Sequence, residues 1–335
     1  MTLAGAGQGK TILDFAGQTG AGEGLLVTAD DVVLTDFGIR DTKGDGIKSK
    51  DSDRITYQYL TVEWSGEPDE TNGAYGIYPV ESTDVLVQNC TVRGASDAGI
   101  YVGQSQNIIV RDSVAEYNVA GIEIENSSYA DVYGNIARHN AGGILVFDLP
   151  DLPVMGGHST RVYDNDIVEN NTVNFAPVGN IVAGVPSGTG LIVMANSDVY
   201  VTGNRFKDNR SVHVMLTAYT EPFTDENYNP LLNDITITGN TYEGGLDDPQ
   251  GMLTPIAAAI GGQLPAIMTD GVTRWDGGED QTVNLVIAEA PEVGFINIGL
   301  GEYPVDPAKM QPRTDRPAST PVPEREPVAL PQDQK

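Results

Sequence analysis

The sequence repeats a short word, a glycine followed by alternating apolar residues, at a spacing near 22 residues. Copies begin at Gly24, Gly46, Gly76, Gly99, Gly121, Gly143, Gly190 and, with serine in place of glycine, Ser211. Steps of 21 to 23 residues separate most copies, and two longer steps, of 30 and 47 residues, contain insertions. A self-similar period of this length is typical of stacked units, each packing only on its neighbours, rather than of two globular domains.

Each repeat also contains a second stretch with strand character, about eleven residues after the glycine. Examples are Ile108-Ile109-Val110 and Val199-Tyr200-Val201. Because side chains of a strand alternate between two faces, one apolar residue of each first strand is expected to point into a shared core. These core positions are Leu25, Ile47, Ile77, Ile100, Ile122, Ile144, Leu191 and Val212.

A column of small or amide residues follows the second strand of the repeats. Its members are Cys90, Ser113, Asn135, Asn165, Asn204 and Asn240. Stacked asparagines hydrogen-bond to one another along such a column. Two short strands per repeat, without the leucine and asparagine frame of a leucine-rich repeat, predict an all-β solenoid: a single-stranded parallel β-helix of eight to ten coils over residues 1–245.

The two ends of the chain depart from this pattern. Residues 246–303 lose the 22-residue period, which predicts a C-terminal cap or small subdomain, and eight prolines among the last 32 residues predict a disordered tail over 304–335. At the other end the repeat begins without a cap or a signal peptide. We therefore expect the natural protein to be secreted, periplasmic or on the cell surface, and Met1 to be a truncated or wrongly assigned start.

The repeated words resemble those of the right-handed parallel β-helix, or pectin-lyase-like, superfamily. The resemblance covers roughly residues 10–245 and implies a right-handed coil. That superfamily includes pectate lyases, polygalacturonases, alginate lyases, mannuronan C5-epimerases and exported β-helix repeat proteins without assigned chemistry. Residues 75–80 are similar to the epimerase signature Tyr-Gly-x-Asp-Pro-His: Tyr75, Gly76 and Pro79 match, whereas Tyr78 replaces the Asp and Val80 replaces the His.

Charge narrows the range of partners. The chain has 19 Lys and Arg against 47 Asp and Glu, a net charge of −28, which argues against binding of nucleic acid or anionic lipid. No run of 18 apolar residues is present, so no membrane span is predicted. A polysaccharide, including one that contains uronates, is the expected partner; the oligomeric state is left open. Acidic turns at Asp41, Asp45, Asp51 and Asp53 offer oxygens for Ca²⁺, although solvated turns are the simpler explanation, and no other cofactor is indicated.

Two outward rows of side chains run along the first strands, with about 4.8 Å between coils. The first row is Leu26, Lys48, Tyr78, Tyr101, Glu123, Leu145, Ile192 and His213. The second row is Thr28, Lys50, Val80, Gly103, Glu125, Phe147, Met194 and Met215. The face therefore changes from cationic to phenolic, then to acidic and finally to apolar.

Three functions fit this face. In the first, a lyase or epimerase-like enzyme acts on an acidic polysaccharide: Lys48 and Lys50 neutralise the uronate while Tyr78 or Tyr101 transfers the proton. In the second, Glu123 and Glu125, about 7 Å apart by strand geometry, form the carboxyl pair of a glycoside hydrolase. In the third, the chain is a non-catalytic surface or envelope scaffold, since any solvated strand face carries charged and tyrosine side chains.

The apolar end of the face adds candidate substrate-binding residues: Leu145, Phe147, Asp148 and Met194. Insertions at 148–158 and 172–188 flank these coils in the sequence. Either the loops fold over the patch and cover it, or they form an apolar groove for a lipid-like or aromatic ligand, with Asp148 at its mouth.

Overall fold

The computed structural model describes residues 1–20 and 22–334, and nearly all of its regular structure is β. A ten-stranded parallel sheet, the front sheet, runs the length of the molecule. Its strands are Leu25–Val27, Ile47–Lys50, Tyr75–Val80, Ala98–Gly103, Ala120–Glu125, Gly142–Phe147, Thr189–Met194, Val212–Thr217, Ile267–Thr269 and Phe295–Asn297.

A second parallel sheet of seventeen strands, the back sheet, closes the other sides of the coils. Its strands are Thr2–Ala4, Ile12–Asp14, Val33–Arg40, Ile55–Glu63, Thr83–Gln88, Thr91–Arg93, Gln106–Arg111, Val114–Glu116, Ser128–Tyr133, Ile136–Arg138, His158–Tyr163, Asp166–Val168, Ser197–Thr202, Arg205–Lys207, Asn233–Thr238, Thr241–Glu243 and Leu285–Ala288. The remaining elements are a small sheet of Val272–Trp275 and Gly301–Tyr303, the α-helix Leu253–Ile260, and the 3₁₀ turns Ile181–Gly184, Pro307–Lys309 and Pro331–Gln334.

The chain winds alternately through the two sheets, and the predicted right-handed, single-stranded parallel β-helix is confirmed. Successive coils align one isoleucine above another, as Ile77 with Ile100 and Ile100 with Ile122. These side chains are fully buried in one continuous core between the sheets. The register places the outward rows on the front sheet as the alternation predicts, except at one coil.

The exception is the strand Val212–Thr217. Its pairing aligns Leu191 with Val214 and Ile192 with Met215, so the core position is Val214 and the prediction of Val212 is wrong by two residues. Both valines are buried: Val214 faces the core, whereas Val212 packs outside it near Leu253. An alternating apolar pattern admits either register, because each register places a valine at the core position.

The predicted column of amides forms a hydrogen-bonded ladder. The Asn135 side chain donates to that of Asn165 at 3.0 Å, and Asn165 donates to Asn204 at 2.9 Å. The sequence analysis missed a second ladder, which runs through Asn118, Asn140, Asn170 and Asn209. His213, expected to point outward, lies within 3.2 Å of Asn209 at the end of this ladder. Its burial lowers its pKa to about 4, so the ring is neutral.

Residues 246–303, for which the sequence predicts a cap, add further strands to the same stack. Ile267–Thr269 pairs with Val212–Thr217, and Phe295–Asn297 pairs with Ile267–Thr269. The helix Leu253–Ile260 packs Leu253 and Ala257 against the outer side of the front sheet. Within the described residues, no helix combines the length and the apolarity needed to cross a membrane.

The tail, for which composition predicts disorder, lies against the back sheet. Leu330 is fully buried between Leu86 and Ile109. Arg325 donates to the buried Asp131 carboxylate at 2.6 Å. Composition alone does not predict this packing, because the apolar pocket that holds Leu330 and the carboxylate that binds Arg325 form only when the coils are stacked.

A carboxyl and tyrosine cleft as candidate active site

A cleft of about 420 Å³ lies over the front sheet, between two of the insertions. Its floor includes Tyr75 from one coil and Glu123 and Glu125 from the second coil after it. Leu149 and Leu152 of the first insertion form one part of the wall, and residues 179–182 of the second form another. The insertions therefore convert an outward strand face into an enclosed site.

Glu123 and Glu125 point outward from the strand Ala120–Glu125, yet they are only 1% and 8% exposed. The Tyr101 hydroxyl donates to Glu125 Oε1 at 2.5 Å. Glu123 Oε2 has no hydrogen-bond partner within the described part of the chain. Burial raises the pKa of Glu125 to about 7 and the pKa of Glu123 well above its ordinary value. Burial therefore favours the protonated form of Glu123, and Glu125 gains or loses its proton near neutral pH.

A third carboxyl, Asp97, lies in the turn just before the strand Ala98–Gly103 and lines the same cleft. Its Oδ2 accepts from the Asn180 amide at 3.1 Å and from the Tyr75 hydroxyl at 3.4 Å. Burial raises the pKa of Asp97 to about 7, although both hydrogen bonds oppose the change. Because Asp97 raises the pKa of both glutamates and Glu125 raises that of Glu123, protons near pH 7 belong to the group rather than to one residue.

Three tyrosine rings lie beside the carboxyls. The ring centroids of Tyr75, Tyr78 and Tyr101 are separated by 4.4 to 4.9 Å. Burial, reinforced by the nearby carboxylates, raises the pKa of Tyr78 to about 12 and that of Tyr101 well above its ordinary value. The phenols are therefore protonated, and the Tyr75 and Tyr101 hydroxyls donate hydrogen bonds to Asp97 and Glu125.

The tyrosine arrangement depends on a glycine. Gly103 pairs with Glu125 across the sheet, and a Cβ atom built at Gly103 would lie 2.4 Å from the Tyr101 hydroxyl. The missing side chain leaves the space in which the Tyr101 ring turns toward Glu125. The outward row therefore contains glycine at this coil for a reason that the sequence alone does not reveal.

The two predicted cations take different positions. The Lys48 ammonium lies 4.5 Å from the centre of the Tyr78 ring, at the edge of the tyrosine cluster. Lys50 instead pairs with Glu81 at 3.3 Å, with its side chain half exposed, and does not line the cleft. The structure thus brings Tyr78, Tyr101, Glu123, Glu125 and Lys48 into one neighbourhood and leaves Lys50 outside it.

The first insertion is held by hydrogen bonds to its own backbone. The Asp148 carboxylate accepts from the amides of Gly157 at 2.7 Å and Gly156 at 3.1 Å, and the Tyr228 hydroxyl donates to the Asp148 carbonyl at 2.6 Å. Burial raises the pKa of Asp148 to about 6. Asp148, a predicted substrate-binding residue, is 1% exposed and is placed to support the wall of the cleft.

The apolar candidates lie beneath the second insertion. Leu145 is fully buried and Phe147 is 2% exposed, in a cluster that also contains Val182 and Val185. Met194 is only partly buried and, with Phe147, lines a separate cavity of about 130 Å³. The loop thus covers most of the apolar patch, as the simpler of the two interpretations expected, and leaves one apolar cavity beside the cleft.

Sequence reasoning missed Asp97 and Asn180 as members of the site and quoted Tyr75 only as part of a motif. Asp97 stands directly before a predicted strand, so the sequence could have placed it in the turn that leads into that strand. Asn180 gave no signal, because its place depends on the path of a long insertion. Among the described residues, no three His, Cys, Asp or Glu side chains are grouped to hold a metal ion. The Asp45 and Asp53 carboxylates accept from the backbone amides of Tyr75 and Thr83 instead.

Comparisons with known proteins agree with the architecture. A family model described as the right handed beta helix region matches residues 23–173. The A-module of the mannuronan C-5 epimerase AlgE4 from Azotobacter vinelandii is similar at a TM-score of 0.50 and 14% identity, over 86% of this chain and 79% of that chain. An alginate lyase from Paenibacillus sp. str. FPU-7 gives a TM-score of 0.47 and 17% identity, over 75% of this chain and 82% of that chain.

A DFA-IIIase structure from Arthrobacter chlorophenolicus A6 gives a TM-score of 0.47 and 15% identity, over 83% of this chain and 74% of that chain. No curated protein sequence matches this chain. Similarity at these identities shows the fold alone, so any function must be argued from the cleft.

Proposed function

We propose that the cleft binds a carbohydrate and hydrolyses a glycosidic bond with the carboxyl groups of Glu125, Glu123 and Asp97. The observation that carries this proposal is the buried pair Glu123 and Glu125, beside Asp97, in a cleft of saccharide size. Glycoside hydrolysis needs one carboxyl that holds a proton and one that is ionised, at the same pH. A group of carboxyls sharing protons near pH 7 supplies both forms.

The residues divide the reaction as follows. Glu125 donates its proton to the glycosidic oxygen as the bond from that oxygen to the anomeric carbon breaks. A water molecule adds to the anomeric carbon and gives its proton to the Asp97 carboxylate. Glu123 remains protonated and donates a hydrogen bond to a sugar oxygen. Proton exchange with solvent then restores Glu125 and Asp97, and the net reaction consumes one water.

The same geometry gives less support to proton abstraction by tyrosine from an acidic polysaccharide. A tyrosine base must be ionised, whereas burial raises the pKa of Tyr78 to about 12. A uronate would also bring a further negative charge to a site that already contains the Asp97 and Glu125 carboxyl groups. The Lys48 ammonium lies at the edge of this site, stacked on the Tyr78 ring. A neutral saccharide fits the electrostatics better, and a sugar face can stack on the ring of Tyr75, which lines the cleft.

The test is a panel of neutral polysaccharides and oligosaccharides, together with alginate and pectate, incubated with the full chain while reducing ends are measured. We expect release of reducing ends from a neutral glycan, and a loss of kcat/KM of about 100-fold or more in Glu125→Gln. Glu243→Gln, which changes an exposed glutamate on the back sheet, is the matched control and should retain full activity.

The panel also separates the alternatives. An unsaturated product from alginate or pectate, with Glu125→Gln fully active, would replace the proposal with the lyase hypothesis. Binding of a glycan without turnover, unchanged in Glu125→Gln, would favour the non-catalytic scaffold.

A further inference from the structure

The second cavity over the front sheet is small, apolar and open to solvent. Its volume is about 130 Å³, and its lining includes Phe147, Ile192, Met194 and Met215. Two apolar side chains at its rim, Ile181 and Met252, are 40% and 56% exposed. Exposed apolar groups around a concave apolar surface are typical of a binding site.

This cavity adjoins the carboxyl cleft. Ile181 and Tyr219 line both cavities, so they form the boundary between them. Met194, from the wall of the apolar cavity, also packs in one cluster with Leu149, which lines the cleft. A molecule with one polar and one apolar part could therefore occupy both cavities at once.

Resting on the proposed function, we propose that the apolar cavity is a subsite for the non-sugar part of the substrate, and that the substrate class is glycosides with a single-ring aromatic aglycone. Size selects this class, because an apolar cavity of about 150 Å³ is known to accommodate one benzene ring. Thioether side chains favour aromatic rings, and Met194 and Met215 supply two of them. Long alkyl chains and steroid-sized groups are too large for the cavity.

The first experiment measures the subsite without catalysis. Phenol is titrated into the full chain and its dissociation constant is obtained by calorimetry or ligand-observed NMR. Met194→Trp fills the cavity, and we expect it to weaken phenol binding by about 10-fold or more. Met155→Trp is the matched control, since Met155 is also a partly buried methionine of the same cluster but does not line the cavity; its binding should remain within about two-fold of the wild type.

The second experiment compares phenyl and methyl glycosides of each sugar that the enzyme hydrolyses. We expect a higher kcat/KM for the phenyl compound, and Met194→Trp should reduce that preference by about 10-fold while sparing the methyl compound. Unchanged phenol binding in Met194→Trp, or equal kcat/KM for the two glycosides, would overturn the subsite while hydrolysis itself stood. Phenol binding lost in Met194→Trp, with no glycoside cleaved, would support the cavity as an aromatic site and overturn only the hydrolase.

Discussion

At the residue scale, the site depends on side chains that face outward from a strand and are nevertheless buried. The outward direction of Tyr101, Glu123 and Glu125 follows from alternation along a strand, and the sequence predicted it. Alternation does not predict that these side chains are buried or that their pKa values are raised. Both effects arise because two insertions fold over the strand. Asp97 shows the same limit, since a turn residue has no fixed face until the loop that meets it is placed.

Gly103 provides a test of the contact between Tyr101 and Glu125. In Gly103→Ala, the new methyl group would occupy the position of the Tyr101 phenol, 2.4 Å from its oxygen, and displace it from Glu125. Because that hydrogen bond opposes the effect of burial on Glu125, its loss raises the pKa of Glu125 further. We expect kcat/KM to fall by about 10-fold or more, and the alkaline limb of the pH profile to move to higher pH.

Tyr101→Phe removes the same hydrogen bond without crowding the strand, so its pH profile should shift in the same direction as that of Gly103→Ala. Ala98→Gly, a change at the other end of the same strand, controls for a general loss of rigidity. A Gly103→Ala enzyme with the wild-type profile would show that the Tyr101 contact has no part in setting the protonation of Glu125.

At the scale of elements, the period of the sequence predicted which strands stack and which residues fill the core. The error at Val212 arose because the apolar alternation fits two registers, which place different valines at the core position. There His213 contacts Asn209, only four residues earlier, at the end of an asparagine ladder whose rungs join side chains from different coils. Such contacts are long-range in sequence, and so are those that fix the tail.

The tail provides a prediction about stability. The buried Asp131 carboxylate on the back sheet accepts from Arg325 at 2.6 Å, from Arg161 at 3.4 Å and from the backbone amide of Val328 at 2.8 Å. Arg325→Ala leaves this carboxylate with fewer partners, and removal of one member of a buried ion pair costs about 3 kcal/mol. We expect a decrease of this order in the free energy of unfolding, measured with urea.

The activity of Arg325→Ala should be unchanged, because the cleft lies on the front sheet. Lys309→Ala is the control: this exposed lysine pairs only with Asp306, three residues earlier, among the described residues, and its loss should alter stability little. Equal stability of Arg325→Ala and the wild type would show that the tail does not hold the back sheet in solution.

At the scale of the whole molecule, the buried acids make stability depend on pH in a definite direction. Burial raises the pKa of Asp97 and Glu125 to about 7 and that of Asp45 and Asp148 to about 6, all above their values in an unfolded chain. Between about pH 4 and pH 7 the folded protein therefore binds more protons than the unfolded chain. Its stability is highest at the acidic end of this window and falls as pH rises.

We expect the free energy of unfolding to be lower at pH 8 than at pH 5 by on the order of 2 kcal/mol or more. The net charge of −28 acts in the same direction, because repulsion among surface carboxylates also grows with pH. Urea unfolding at high salt separates the two causes, since salt screens exposed charges much more than buried ones. The difference between the two pH values should persist in salt and shrink in the Glu123→Gln, Glu125→Gln double variant, but not in Glu243→Gln. A difference that vanished in salt would assign the pH dependence to the surface and leave the buried acids without the protonation on which the proposed chemistry depends.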